Sequence, residues 1–234
     1  MLSLLARSSA FSPLSLSPVL WLKADGVVWQ DSARTTLATA DGDPVGAWDD
    51  ASGNGNHVLQ ATASKRPLLK TSGGATGTGS KRVLFDGVDD FLQLLSLNLG
   101  TSWMICLLTT RGGAEDYFFG AKAGGGGSLI TGYSGDAEYY GSPPRLVIAA
   151  TNAIPSGFHS VCVGANSGGH TTRLDGAAGP SDAAAAADLD GGVTVGADRE
   201  TAAPLSGSIS EVIAFSSYSA ANLALLDAYL NGRR

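Results

Sequence analysis

The ten residues Val83-Leu84-Phe85-Asp86-Gly87-Val88-Asp89-Asp90-Phe91-Leu92 read as two apolar strand segments around an acidic turn. Asp and Gly suit such a turn because they tolerate left-handed backbone and bond their own main chain. The flanking Val, Phe and Leu suit an extended, half-buried backbone. Similar units recur on either side. Residues 19–24 alternate Leu20 and Leu22 with Trp21 and Lys23, and residues 103–108, 146–150, 158–163, 171–174, 193–195 and 209–215 are further short apolar runs. Turn residues separate them, and this spacing predicts an all-β sandwich or barrel. A single helix is expected at the C-terminus, where Ser219 can cap and Leu223, Leu226, Tyr229 and Leu230 recur at steps of three and four up to Gly232. The alanine run 183–187 offers at most one helical turn. Between Gly26 and Asp43 the chain is polar, with Val27 and Trp29 as its expected anchors, and residues 71–80 read as a mobile surface loop.

Composition narrows the function classes. Of 234 residues 32 are Gly and 15% are charged, which suits short strands and many turns, while 44% hydrophobic content argues against a disordered chain. The net charge of −6 and scattered basic residues leave no stripe that could neutralise phosphates, so direct nucleic-acid binding is not expected. No run of about 20 apolar residues predicts a membrane span, and residues 1–7 lack the pattern of a secretory signal. The Ser/Pro-rich residues 8–18 lead us to expect an extended N-terminal arm over residues 1–17, followed by one domain over 18–234. Cys106 and Cys162 each lie in an apolar strand; the preferred reading is two buried reduced thiols, with a cross-sheet disulfide as the alternative.

Several segments in order carry a resemblance. They are Leu20-Trp21-Leu22-Lys23-Ala24, Trp48-Asp49-Asp50, Ser52-Gly53-Asn54-Gly55-Asn56-His57 with Gln60 and Arg66-Pro67 after it, and residues 83–92. Gly157-Phe158-His159-Ser160-Val161, Arg173-Leu174-Asp175-Gly176, residues 205–213 and the closing Tyr229-Leu230 complete the set. Together, over roughly residues 19–232, they resemble the laminin-G-like, concanavalin A-like jelly-roll family of bacterial extracellular and phage virion proteins. Relatives usually carry Trp before the His, where this chain has Phe158. The resemblance implies a two-sheet antiparallel jelly-roll sandwich with a short C-terminal helix, and relatives often hold calcium at the sandwich rim.

Candidate chemistry follows. Asp86, Asp89 and Asp90 are read as turn-holding acceptors, or partners of Lys81 and Arg82, with structural calcium as the alternative; the spacing is not that of an EF-hand. Asp49, Asp50, Asn54, Asn56 and His57 are read as a structural Asx cluster. His57, His159 and His170 are isolated, which does not suit zinc. Strand parity places Glu211 beside Ile209, Ile213 and Phe215, so its carboxylate must be tied to a loop or the C-terminal helix. No second carboxylate at suitable spacing supports glycoside hydrolysis, and the Glu-x-Asp-x-x-Glu strand usual in glucanases of the resembled fold is absent. Tyr133, Asp136, Tyr139 and Tyr140, with Glu138, are the candidate ligand-binding residues, as a sugar-stacking surface. No metal-binding set is assigned.

The expected role is non-enzymatic: a phage virion structural protein, a capsid decoration or tail-fibre subunit on the virion surface. It would bind other virion proteins, self-assemble as a homo-oligomer and adhere to host-surface glycan. An adhesion-type fold without a secretion signal, Met1 and the Ser/Pro arm motivate this reading. The alternative is a carbohydrate-binding module of a secreted bacterial protein; a glycan-degrading enzyme is the third reading.

Overall fold

A computed structural model describes residues 11–112, 116–121, 128–133, 136–140, 146–149, 157–186, 188–198, 201 and 203–234; for 111, 128–133, 136–140 and 146–149 it describes the backbone alone. The strands are β1 (Leu20–Lys23), β2 (Val28–Trp29), β3 (Ala47–Trp48), β4 (Val58–Leu59), β5 (Leu68–Lys70), β6 (Arg82–Asp86), β7 (Leu92–Leu94), β8 (Trp103–Arg111) and β9 (Asp116–Ala121). They continue as β10 (Ser128–Tyr133), β11 (Asp136–Tyr140), β12 (Leu146–Ala149), β13 (His159–Asn166), β14 (Gly169–Leu174), β15 (Ala177–Ser181), β16 (Val193–Val195) and β17 (Ser206–Phe215), followed by helix α1 (Ala220–Asn231). The first sheet runs β15-β14-β13-β8-β17-β6-β5, with β1 also on β17; the second runs β12-β11-β10-β9-β16-β7-β4-β3-β2. The strand pairings are antiparallel, and the expected two-sheet β-sandwich with a short C-terminal helix is what forms.

Alternation along β8 explains the layering. Trp103, Ile105 and Leu107 enter the core between the sheets with Trp48, Phe85, Leu92 and Phe119. Met104, Cys106 and Leu108 point the other way, into a second apolar layer under α1. Buried on both sides, β8 therefore reads as an unbroken apolar run. The three-four spacing of α1 supplies the cover through Leu223, Leu226 and Leu230, each 0% exposed, and Ser219 Oγ caps the helix by accepting from Asn222 N. Gly232 ends it in a right-handed rather than left-handed conformation. The alanines 183–186 form no helical turn. No helix among the described residues is long and apolar enough to cross a membrane.

Three expectations change. Residues 11–17 are not extended: Pro13–Leu16 form a 3-10 turn capped by Ser12, and Phe11 meets the Tyr229 ring edge-on at 5.9 Å. Residues 1–10 of the expected arm lie outside the described residues. Residues 71–80 are held rather than loose: Gly77 N donates to Arg233 O, Thr76 Oγ1 to Arg234 O, and Ala75 is buried. Only glycine fits at 77, because a Cβ there would come within 2.7 Å of Arg233 Cα. Finally, Cys106 and Cys162 are disulfide-bonded, which overturns the reduced-thiol reading. The bond is cross-strand within one sheet rather than cross-sheet, because register sets the two residues opposite each other on β8 and β13 with Cα atoms 4.1 Å apart.

Both cysteines are 0% exposed. Reductant alone is therefore expected to leave the native bond intact, while reductant with urea cleaves it. The bond closes a sequence separation of 56 residues. Replacing both cysteines by Ala should lower unfolding stability by about 4 kcal/mol, read from the urea midpoint under oxidising conditions.

Candidate functional site

Each sheet has an outward face, and the two have different fates. On the first, Trp21, Met104, Cys106, Leu108, Ile213 and Phe215 lie beneath α1 and the 3-10 turn. On the second, Val28, Trp48, Val58 and Leu92 enter the core. Their chain neighbours must therefore point outward, since successive strand residues alternate. Register links these neighbours into one row: Leu37, Trp29, Ala47, Leu59, Gln93, Thr194 and Gly120. Six strand separations make the row about 29 Å long. Leu37 is 49% and Leu59 37% exposed, Trp29 and Gln93 are half-buried, and Ala47 and Thr194 are buried. Backbone register continues the row through Ser128 to Tyr140.

The Trp29 end is the most built part of this face. Trp29 Nε1 donates to Asp49 Oδ2 at 3.0 Å, and Arg34 Nη1 donates to Asp49 Oδ1 at 3.2 Å. Asp49 follows Trp48 and so returns to the outward side, where Val27 is 47% exposed. His57 Nδ1 lies 3.1 Å from Asp49 Oδ1 and also 3.1 Å from the Asp50 N–H. Sequence reading took Val27 and Trp29 for anchors of the chain. The core residue is Val28, and the signal that could have shown this was the parity of β2.

The rest of the Asp/Asn-rich loop is structural, as expected. Asp50 accepts from Trp21 N, Ser52 N, Ser52 Oγ and Asn56 N, while Asn54 and Asn56 donate to the Pro18 and Val19 carbonyls.

The acidic turn crosses from β6 in the first sheet to β7 in the second. Asp86 Oδ1 accepts from Val88 N and Asp89 N, and Asp90 Oδ2 from Asp86 N. This is the expected turn-holding role. Pairing with Lys81 and Arg82 is not part of it: Arg82 Nη1 donates to the Gly73 carbonyl. The three aspartates offer carboxylate oxygens within 4.8 Å of one another. Burial, then the Asp86 and Asp89 charges, push the Asp90 carboxyl up to about 6. Hard anionic oxygens of this kind suit Ca²⁺, although three carboxylates supply only part of the six to eight ligands it takes.

Tyr133, Asp136, Tyr139 and Tyr140 have side chains outside the described residues. Their backbones form the β10–β11 hairpin: Tyr133 pairs with Asp136 beside the turn, and Tyr139 and Tyr140 pair with Leu129 and Ser128 further back. Thr131 of β10 pairs with Asp116, whose carboxylate accepts from Ser206 N, and Ser206 pairs with Asp86. Tyr133 and Asp136 thus close the hairpin toward the acidic rim, and Tyr139 and Tyr140 extend away from it.

Two buried carboxylates serve the helix. Glu211 accepts from Trp21 Nε1 at 2.6 Å, Tyr229 Oη at 3.0 Å and Arg233 Nε at 2.7 Å, the expected tie to the C-terminal helix. Burial raises its carboxyl pKa, and Arg233 and the indole and phenol donors oppose that rise. Its neighbours differ from those expected. The register slips between Ile209 and Glu211, so Ile209 faces the central core while Glu211 shares a side with Ile213 and Phe215. Asp227, which sequence reading did not single out, is 0% exposed and accepts from Ser160 Oγ and Arg173 Nε. His159 meets the Asp175 carboxylate at 2.6 Å, and His170 meets that of Asp182 at 2.9 Å.

Fold and site together define a β-sandwich whose first sheet is covered by a helix and whose second sheet is partly exposed on its outward side, at Leu37, Trp29 and Leu59. No family model and no curated protein matches the chain. Among solved structures, a GH54 α-L-arabinofuranosidase soaked with a cyclic sulfate inhibitor is similar at TM-score 0.67 and 14% identity, over 92% of this chain and 63% of that one. The chain thus spans less than two thirds of that enzyme. Domain 4 of AbnA, a GH43 extracellular arabinanase from Geobacillus stearothermophilus, in complex with arabinotriose, matches at TM-score 0.60 and 14% identity, over 90% of this chain and 98% of that domain. The binding domain of Paraclostridial Mosquitocidal Protein 1 matches at 0.58 and 12%, over 94% and 53%. These likenesses show the β-sandwich fold.

Two expected outcomes follow from the carboxylates. Asp90 keeps its proton up to about pH 6 when folded but only to about 3.8 when unfolded. Stability should therefore fall as pH rises between those values. Asp90→Asn should gain on the order of 2 kcal/mol at pH 7.5 and nothing at pH 3.5, by urea unfolding. A calcium-dependent rise in the wild-type midpoint, absent from Asp90→Asn, would mark the turn as a cation site. Arg233→Ala leaves Glu211 buried without its cation and should lose on the order of 3 kcal/mol, partly recovered by adding Glu211→Gln.

Proposed function

We propose that this chain is a non-catalytic glycan-binding module that takes its ligand on the outward face of the second sheet. The observation that carries the reading is the half-buried Trp29, beside exposed Val27 and Leu37, on the outward side of the sheet that α1 does not cover. Aromatic faces beside a few fixed polar groups are the chemistry of sugar recognition. The near end-to-end match to an arabinanase domain in complex with arabinotriose supports the same reading. Binding without catalysis agrees with Glu211 being sealed beneath α1 by three donors. The Cys106–Cys162 disulfide favours an oxidising, extracellular setting over a reducing cytosol. The virion role draws no support from the comparisons, and residues 11–16 are folded against α1 rather than extended for docking.

Affinity electrophoresis against a panel of soluble polysaccharides, arabinan and arabinoxylan among them, tests the reading, with reducing ends assayed in parallel. Retardation by at least one polysaccharide without new reducing ends is expected. Release of reducing ends would overturn the non-catalytic part. Failure to bind any of them, with attachment to isolated phage particles, would return the chain to the virion role.

A further inference from the structure

We infer that the Trp29 end of this outward face is a subsite for an uncharged sugar ring, with Trp29 as its stacking platform and Arg34 and Asp49 as its polar clamp; this rests on the glycan-binding reading above. The chain has four tryptophans. Trp48 and Trp103 are 0% and Trp21 is 7% exposed, whereas Trp29 is left half-buried on the outward row. Val27, Leu37 and Leu59, 47%, 49% and 37% exposed, extend the apolar surface around it. Such a surface suits the C–H face of a sugar ring.

The polar side is held in place before any ligand arrives. Asp49 is fixed by the Trp29 indole and the Arg34 guanidinium. Arg34 itself stands at φ +59, a left-handed conformation that a non-glycine residue adopts only when its surroundings impose it. The surroundings are visible: the Asp31 carboxylate accepts from Thr35 N, Thr35 Oγ1 and Thr36 N, and Arg34 N donates to Asp31 O. A guanidinium has five N–H donors. One is directed at Asp49, and the side chain is 39% exposed, so it can offer others to vicinal hydroxyls.

Charge balance selects the ligand class. Among the described residues, Arg34 and Asp49 stand at the patch with Asp31 and Arg66 near them, and Lys65 lies further along with its ammonium over the Phe91 ring at 5.7 Å. Arg34 is paired with Asp49, and Arg66 is turned into the Gln30, Gln60 and Ala61 carbonyls. Neither Arg34 nor Arg66 is left over for a uronate or sulfate, and a sugar carboxylate beside Trp29 would be set against Asp49. A neutral pentose or hexose unit fits; an acidic one does not.

Titration of the full chain with arabino- and xylo-oligosaccharides, and separately with oligogalacturonates, tests this, with tryptophan emission and calorimetry as readouts. A saturable emission change is expected with a neutral oligosaccharide and none with oligogalacturonate. Trp29→Phe should abolish the emission change while binding persists, and Trp29→Ala and Arg34→Gly should each weaken binding about ten-fold or more. Arg34→Gly suits the left-handed backbone, so it reports on the clamp even where Trp29→Ala fails to fold. Wild-type affinity in Trp29→Ala and Arg34→Gly would overturn the subsite and leave the glycan reading standing. Preference for oligogalacturonate would overturn the neutral class. A wild-type chain that binds no glycan at all overturns both.

Discussion

A carboxylate in an apolar interior must be met by donors, and donors for Glu211 come from the two ends of the chain. Trp21 on β1, Tyr229 on α1 and Arg233 just beyond α1 converge on its two oxygens. Leaving that charge unpaired would cost several kcal/mol, so the first strand, the last strand and the C-terminal helix are tied to one arrangement. Asp227 repeats the device earlier in the helix, joining α1 to β13 through Ser160 and to β14 through Arg173. Apolar packing of Leu223, Leu226 and Leu230 supplies the bulk of the attraction, and the two carboxylates set where the helix lies.

That placement decides which surface the protein has left to use. With α1 over β8, β13 and β14, the outward residues of the first sheet become a second core, and the disulfide is enclosed within it. The second sheet receives no such cover from a helix. Its outward row is mixed rather than apolar, with half-buried Gln93 beside exposed Leu59 and half-buried Trp29 beside exposed Leu37.

The bulge in β17 is the small irregularity on which this depends. β17 pairs with β6 over its first half and with β1 over its second, and the register against β8 slips between those halves. Without the slip, either Ile209 would leave the central core or Glu211 would enter it, where none of its three donors could follow.

What the sequence determined by itself was local. The period-two runs marked most strands, the three-four spacing and Ser219 marked the helix, and the Asp/Asn/Gly clusters marked turns that hold themselves together, because in each case the signal and the structure lie within a few residues. The necessity of a partner for Glu211 was legible too, since burial of a charge carries that demand wherever it occurs. Only the tertiary structure decided which partners answered it, that Cys106 and Cys162 stand opposite each other, that Asp227 is buried, and that residues 71–80 are clamped by the C-terminus. Trp29 shows the division most clearly. Its alternation with Val28 was present in the sequence, but alternation says only that two neighbours face opposite ways; which way was inward depended on where the first sheet packs, and its core residues run as far along the chain as Val212 and Ala214.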